Sequence, residues 1–148
     1  MFFILGKTLL MRKNLSRYLI SFSTLWYGII PVIADLSESH LHNTNWTPHS
    51  KFHLAWLLST GSLISIYSMY LMWYKNSTVQ AAINGLCIMG GFWIAAIFKS
   101  YYGGMYADKN FDEASILGLN PNVFAFIFVT LFLTIGLLIE LKKLGKPI

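Results

Sequence analysis

Four long apolar stretches dominate the chain, and each approaches or reaches the length that a helix needs to cross a bilayer core, about 20 residues. They run from Tyr18 to Ala34, from Leu54 to Tyr74, from about Val79 to Phe98 and from about Val123 to Ile139. In hydrocarbon every backbone amide must find its partner inside the protein, which leaves helices or closed barrels. The residue alternation of barrel strands is missing, so the expectation is an all-α integral membrane four-helix bundle. Composition agrees. Only 11% of residues are charged, 55% are hydrophobic, and the mean hydropathy is +0.56, whereas a soluble domain is about a quarter charged. One transmembrane domain over 1–148 is expected, with helices at about 18–34, 53–74, 79–99 and 122–141.

Charge placement orients these helices. Lys7, Arg12, Lys13 and Arg17 precede the first, Lys142, Lys143 and Lys146 follow the fourth, and Lys75 lies between the second and third. Cytoplasmic loops carry the excess of Lys and Arg. A multi-pass protein of the cell (inner) membrane is therefore expected, with both termini cytoplasmic. The connector between helices one and two then lies on the outer face with the loop after helix three, which holds Asp108, Asp112 and Glu113 against Lys109. The net charge of +5 points to anionic lipid rather than nucleic acid. The N-terminus resembles a secretory signal ending at Val32-Ile33-Ala34, but the run is long and aromatic, with Trp26 and Tyr27, so a retained helix is expected. Met1 to Met11 are expected along the cytoplasmic interface. A lone cysteine, Cys87, excludes disulfide exchange within the chain.

Local signals refine the helices. Pro31 should kink or end helix one. Thr47 suits an N-cap and Pro48 the first helical position of helix two. Gly85, Gly90, Gly91, Ala95 and Ala96 should let helix three approach its neighbours closely, and Ser59, Ser62, Ser65, Ser68 and Asn84 should bond between helices. Glu140 should mark the inner end of helix four. Asn110 and Glu113 have the spacing of a helix start, and Gly118 that of a stop, so Phe111 to Leu117 is expected as a short interfacial helix, acting as a clasp or a lid.

Chemistry concentrates in one place. All four histidines, His40, His42, His49 and His53, follow Asp35 within a single connector and the helix start beyond it. Imidazole and carboxylate bind borderline metals and exchange protons near neutral pH. His49 and His53 are at i, i+4, so they share a helix face and can hold one metal between them. Asp35, His40, His49 and His53 form the candidate ligand set. His42 is the reserve, Trp46 and Trp56 are placed to wall the site, and Lys99 is placed to snorkel between Tyr101 and Tyr102, to pair with Asp35 or to hold a lipid phosphate. Imidazole favours zinc or iron over magnesium. A metal-free His/Asp proton site and an incidental interfacial cluster stand as alternatives. No C-x-x-C-H or opposed helical histidines suggest heme, and neither a nucleotide fingerprint nor a Ser/His/Asp signature is present.

The run H-L-H-N-T-N-W-T-P-H-S-K-F-H resembles the segment H-x-x-N-P-x-W-P-P-H-A-x-F-H of an uncharacterised family of small four-helix membrane proteins. The likeness rests on His40, Asn43, Trp46, Pro48, His49, Phe52 and His53. Thr44 and Thr47 stand where that pattern often has proline, which loosens the loop. The resemblance implies a four-helix membrane protein with a shared site, and supplies no activity.

The leading functional expectation is a metal-dependent enzyme acting on a lipid or other amphipathic substrate at headgroup depth, where a metal polarises a substrate oxygen or activates water. His40 or Asp35 would be a ligand or the general base. The alternatives are a non-catalytic subunit or assembly factor that binds other membrane-protein helices, and a small self-associating transporter. Membrane lipids are the expected partners in every case.

Overall fold

The computed structural model describes residues 2–106 and 115–145, without the side chains of 2–13. Its helices are α1 (Phe2–Asp35), α2 (Pro48–Trp73), α3 (Thr78–Phe98) and α4 (Pro121–Leu144). Each contains a segment long and apolar enough to cross a membrane, the one in α1 being Asn14–Asp35. The expected all-α four-helix membrane architecture is therefore what the chain adopts. Neighbours in sequence pack against one another, α4 closes the ring against α1, and α1 also touches α3 across the diagonal.

The helix boundaries follow local chemistry. At α2, Thr47 has extended backbone angles and its side chain accepts a hydrogen bond from Ser50 N, with Pro48 at the first position, as the sequence indicates. Asn120 and Pro121 repeat the device at α4, where the Asn120 side chain accepts from Asn122 N. Pro31 does not end α1, and the first helix starts earlier than the expected Tyr18. Pro31 lies inside α1, which continues to Asp35, because a proline in a membrane helix can be accommodated by its neighbours. The backbone of α1 is also helical from Phe2, so the N-terminal segment continues the first helix.

The expected short helix over Phe111 to Leu117 falls partly outside the described residues. Within them, Ile116 and Leu119 form an isolated bridge around Leu117 and Gly118, both at positive φ (53° and 78°). That geometry is a tight reversal, so Ile116 and Leu117 belong to a turn rather than a helix.

Packing uses small side chains where lipid supplies no hydrophobic drive between helices. The core is Ile20, Tyr27, Met72, Ala81, Ala82, Met89, Val129 and Leu133. Ser62 donates to the Gly28 carbonyl and Ser65 to the Thr24 carbonyl, each at 2.8 Å, joining α2 to α1. Asn84 donates to Ser68 at 3.2 Å, joining α3 to α2. These are the interhelical bonds expected of the serine repeat and Asn84. Gly85 lies against Leu133 and Tyr27, but Gly90 and Gly91 face open space, so only part of the small-residue face of α3 is used within the bundle. At the end of the bundle opposite the histidines, buried Ser16 bridges Glu140 and Lys143 of α4.

Candidate functional site

The α1–α2 connector is a compact loop built by its own short polar side chains. Leu41 N donates to Asp35 O at 3.0 Å, closing the end of α1, and His40 N and His42 N both donate to Ser37 O. Asn43 is buried. Its side chain donates to Ser39 O, and its Oδ1 accepts from Asn45 N at 2.9 Å, the Asx-turn that Asn favours. Asn43 thus acts as the internal brace of the loop. Its place in the motif could have singled it out, and the Asn-x-Asn spacing is the signal.

This scaffold holds the first of two pairs. His40 Nδ1 lies 2.8 Å from Ser39 Oγ, and its Nε2 lies 3.7 Å from Asp35 Oδ1. That separation suits an ion pair when His40 is protonated and is too long for a hydrogen bond. Trp46 meets the His40 ring edge-on, with centroids 6.0 Å apart. Ser39, which orients the imidazole, was not singled out by the sequence. Its only signal is that it is adjacent to His40.

The second pair stands on the first two turns of α2. His49 Nε2 and His53 Nε2 are 3.0 Å apart, with both rings exposed. As a hydrogen bond this requires one ring to donate and the other to accept. The same convergence suits a metal. An ion placed roughly 2.0–2.1 Å from both nitrogens would see them about 90–95° apart, and opening the pair by about 0.3 Å gives the tetrahedral angle. The Trp56 ring lies 6.0 Å from that of His53. The two tryptophans therefore wall the two pairs, one each.

The structure brings Asp35 to His40 and His49 to His53, but does not merge them. Among the described residues no three His, Cys, Asp or Glu side chains stand close enough to hold one metal. The single four-ligand cluster expected from the sequence is here two pairs, because the connector folds on itself through Ser37, Ser39 and Asn43 instead of draping over α2. His42 is exposed and joins neither pair. The Lys99 ammonium lies over the Tyr106 ring, 4.9 Å from its centroid, and makes no ion pair with Asp35. Beside the connector end of α1 and α2 is an apolar groove of about 420 Å³, lined by Val32, Leu36, Ala55, Leu58, Ser59 and Leu63 among others.

One family model matches residues 19–145, a span that takes in every candidate site residue and agrees with the resemblance to an uncharacterised family. No curated protein and no solved structure matches the chain. With nearly the whole bundle inside the matched region, the chain belongs to the family described as Family of unknown function (DUF6640).

Proposed function

We propose that this is a metal-binding integral membrane protein whose histidine end faces outward, and that the bound metal, zinc or iron, serves chemistry on a lipid or other amphipathic substrate. The observation that carries the metal reading is the convergence of His49 Nε2 and His53 Nε2 to 3.0 Å on one exposed helix face. The basic residues near the two chain ends, Lys7, Arg12, Lys13 and Arg17 in the N-terminal half of α1 and Lys142, Lys143 and Lys146 at and just beyond the end of α4, support the outward orientation.

In this reading His49 and His53 are the chain's metal ligands. The metal would supply Lewis acidity toward a substrate oxygen. Asp35 and His40 form a separate acid–imidazole pair, 3.7 Å apart, with Ser39 holding the opposite ring nitrogen; a proton would pass between them through a bridging water or once the pair closes to hydrogen-bond distance. The groove between α1 and α2 begins at Leu36, next to Asp35. It opens on the flank of two helices apolar enough to lie in a bilayer, where an acyl chain is the natural occupant. Metal analysis of the purified protein tests the site. Wild type should retain zinc or iron that His49→Ala and His53→Ala lose, and a metal-free wild type purified without chelator would overturn it. Lipid profiling of a deletion strain tests the substrate class. One accumulating amphipathic species is expected.

A subunit or assembly role is the second reading, favoured by Gly90 and Gly91, whose faces meet nothing within 4 Å. Loss of a larger complex on deletion, with lipids unchanged, would select it over the enzyme.

A further inference from the structure

The histidine pair supplies only two ligands, while zinc in proteins is almost always four-coordinate. No third His, Cys, Asp or Glu among the described residues joins it. The described residues of one chain therefore leave the coordination incomplete, and α2 presents a face that can complete it. His49, His53, Trp56, Thr60, Leu63 and Tyr67 follow one another at alternating steps of four and three, and the spacing continues through Tyr70 to Tyr74 beyond the helix end. That is the seam of a helix pair, in which the 3.5-residue period keeps one stripe facing a partner. Much of the stripe is exposed: Trp56, Leu63 and Tyr67 are 61%, 67% and 55% exposed, with Leu63 also at the rim of the α1–α2 groove and Thr60 half-buried. Aromatic belts explain Trp and Tyr near helix ends. They do not explain an unbroken seam along the helix that begins with two convergent imidazoles.

A second copy inserted in the same membrane with the same orientation fits this seam. A twofold axis along the membrane normal places identical residues at identical depth and makes the contact isologous. His49 and His53 of one chain would then stand opposite their counterparts, and only at the end of the seam nearest the connector. We infer that α2 pairs with α2 of a second copy, and that one zinc ion is held between the copies by His49 and His53 from each. This deepens the metal reading above and rests on it. It assigns the source of the missing ligands and makes pairing metal-dependent.

The full chain, purified in detergent and loaded with zinc alone, decides the matter by zinc content and by mass. A dimer containing one zinc per two chains, dissociating when a chelator is added and absent in His53→Ala, is the expected result. One zinc per chain in a monomer overturns the pairing while leaving the metal reading standing. No bound zinc overturns both. A dimer that survives chelator and His53→Ala overturns the bridging ion. A second measurement does not depend on removing a ligand. In a Cys87→Ser background, Leu63→Cys should cross-link on mild oxidation in zinc and lose most of that product in chelator. Ile94→Cys on α3, exposed to a similar 62%, should not cross-link. Equal cross-linking at both positions, or none at Leu63→Cys, contradicts the seam.

Discussion

Alanine at Gly28 should destabilise the bundle, while the same change at Gly91 should not. A Cβ at Gly28 would fall 2.3 Å from both Cβ and Oγ of Ser65, whereas one at Gly91 meets nothing within 4 Å. Ordinary carbon contacts lie near 3.5–4.0 Å, so α1 and α2 would have to separate locally by more than about 1 Å. Overpacking of this kind costs roughly 1–3 kcal/mol. The separation also stretches two interhelical bonds, from Ser62 to Gly28 and from Ser65 to Thr24, worth on average about 0.6 kcal/mol each in a membrane protein. Alanine returns up to about 1 kcal/mol of helix propensity at either site. The balance is a loss of about 1–3 kcal/mol for Gly28→Ala and no loss, or a slight gain, for Gly91→Ala. At about 2–4 °C per kcal/mol for a chain of this size, thermal unfolding in detergent, followed by tryptophan fluorescence, should resolve the two. Equal Tm shifts, or a stabilised Gly28→Ala, would refute the close approach of α1 and α2 as the reason glycine stands there.

Three further outcomes follow from the same structure. A reporter active only in the cytoplasm should work when fused to the C-terminus and fail when inserted in the α1–α2 connector; a well-expressed but inactive C-terminal fusion reverses the orientation. Thr47→Ala removes the side-chain acceptor of Ser50 N, a cap worth about 1 kcal/mol. Fraying of the turn that carries His49 should weaken zinc binding by up to about fivefold, with Thr47→Ser retaining it, and unchanged affinity in a competitive zinc titration would sink the role of the cap. Trp93→Phe deletes the bond from Trp93 Nε1 to Thr130 Oγ1 and should lower stability by roughly 0.6 kcal/mol while leaving zinc affinity unchanged, so a loss of zinc would link the site to α3–α4 packing.

Much of this bundle was legible because its signals are local and strong. Apolar length specifies four helices, Thr47-Pro48 starts α2, and i, i+4 spacing brings His49 to His53. The serine and asparagine bonds between helices were legible for a related reason: in lipid such groups have few other partners. What resisted reading depends on how loops fold back. Asp35, His40, His49 and His53 sit close in sequence, yet Ser37, Ser39 and Asn43 draw the connector into its own compact turn and split the set in two. No periodicity encodes that choice. Asn120-Pro121 carries the same start signal as Thr47-Pro48, and Gly118 reads as a helix stop although here it shares a reversal with Leu117.

X-ray absorption at the zinc edge of the zinc-loaded protein tests the central claim most directly, since it reports the atoms bound to the metal. Imidazole nitrogens at about 2.0–2.1 Å, with the outer-shell scattering of histidine rings, should appear in wild type and disappear in His49→Ala/His53→Ala. A shell of oxygen alone, or one unchanged by those substitutions, would contradict a metal held by His49 and His53.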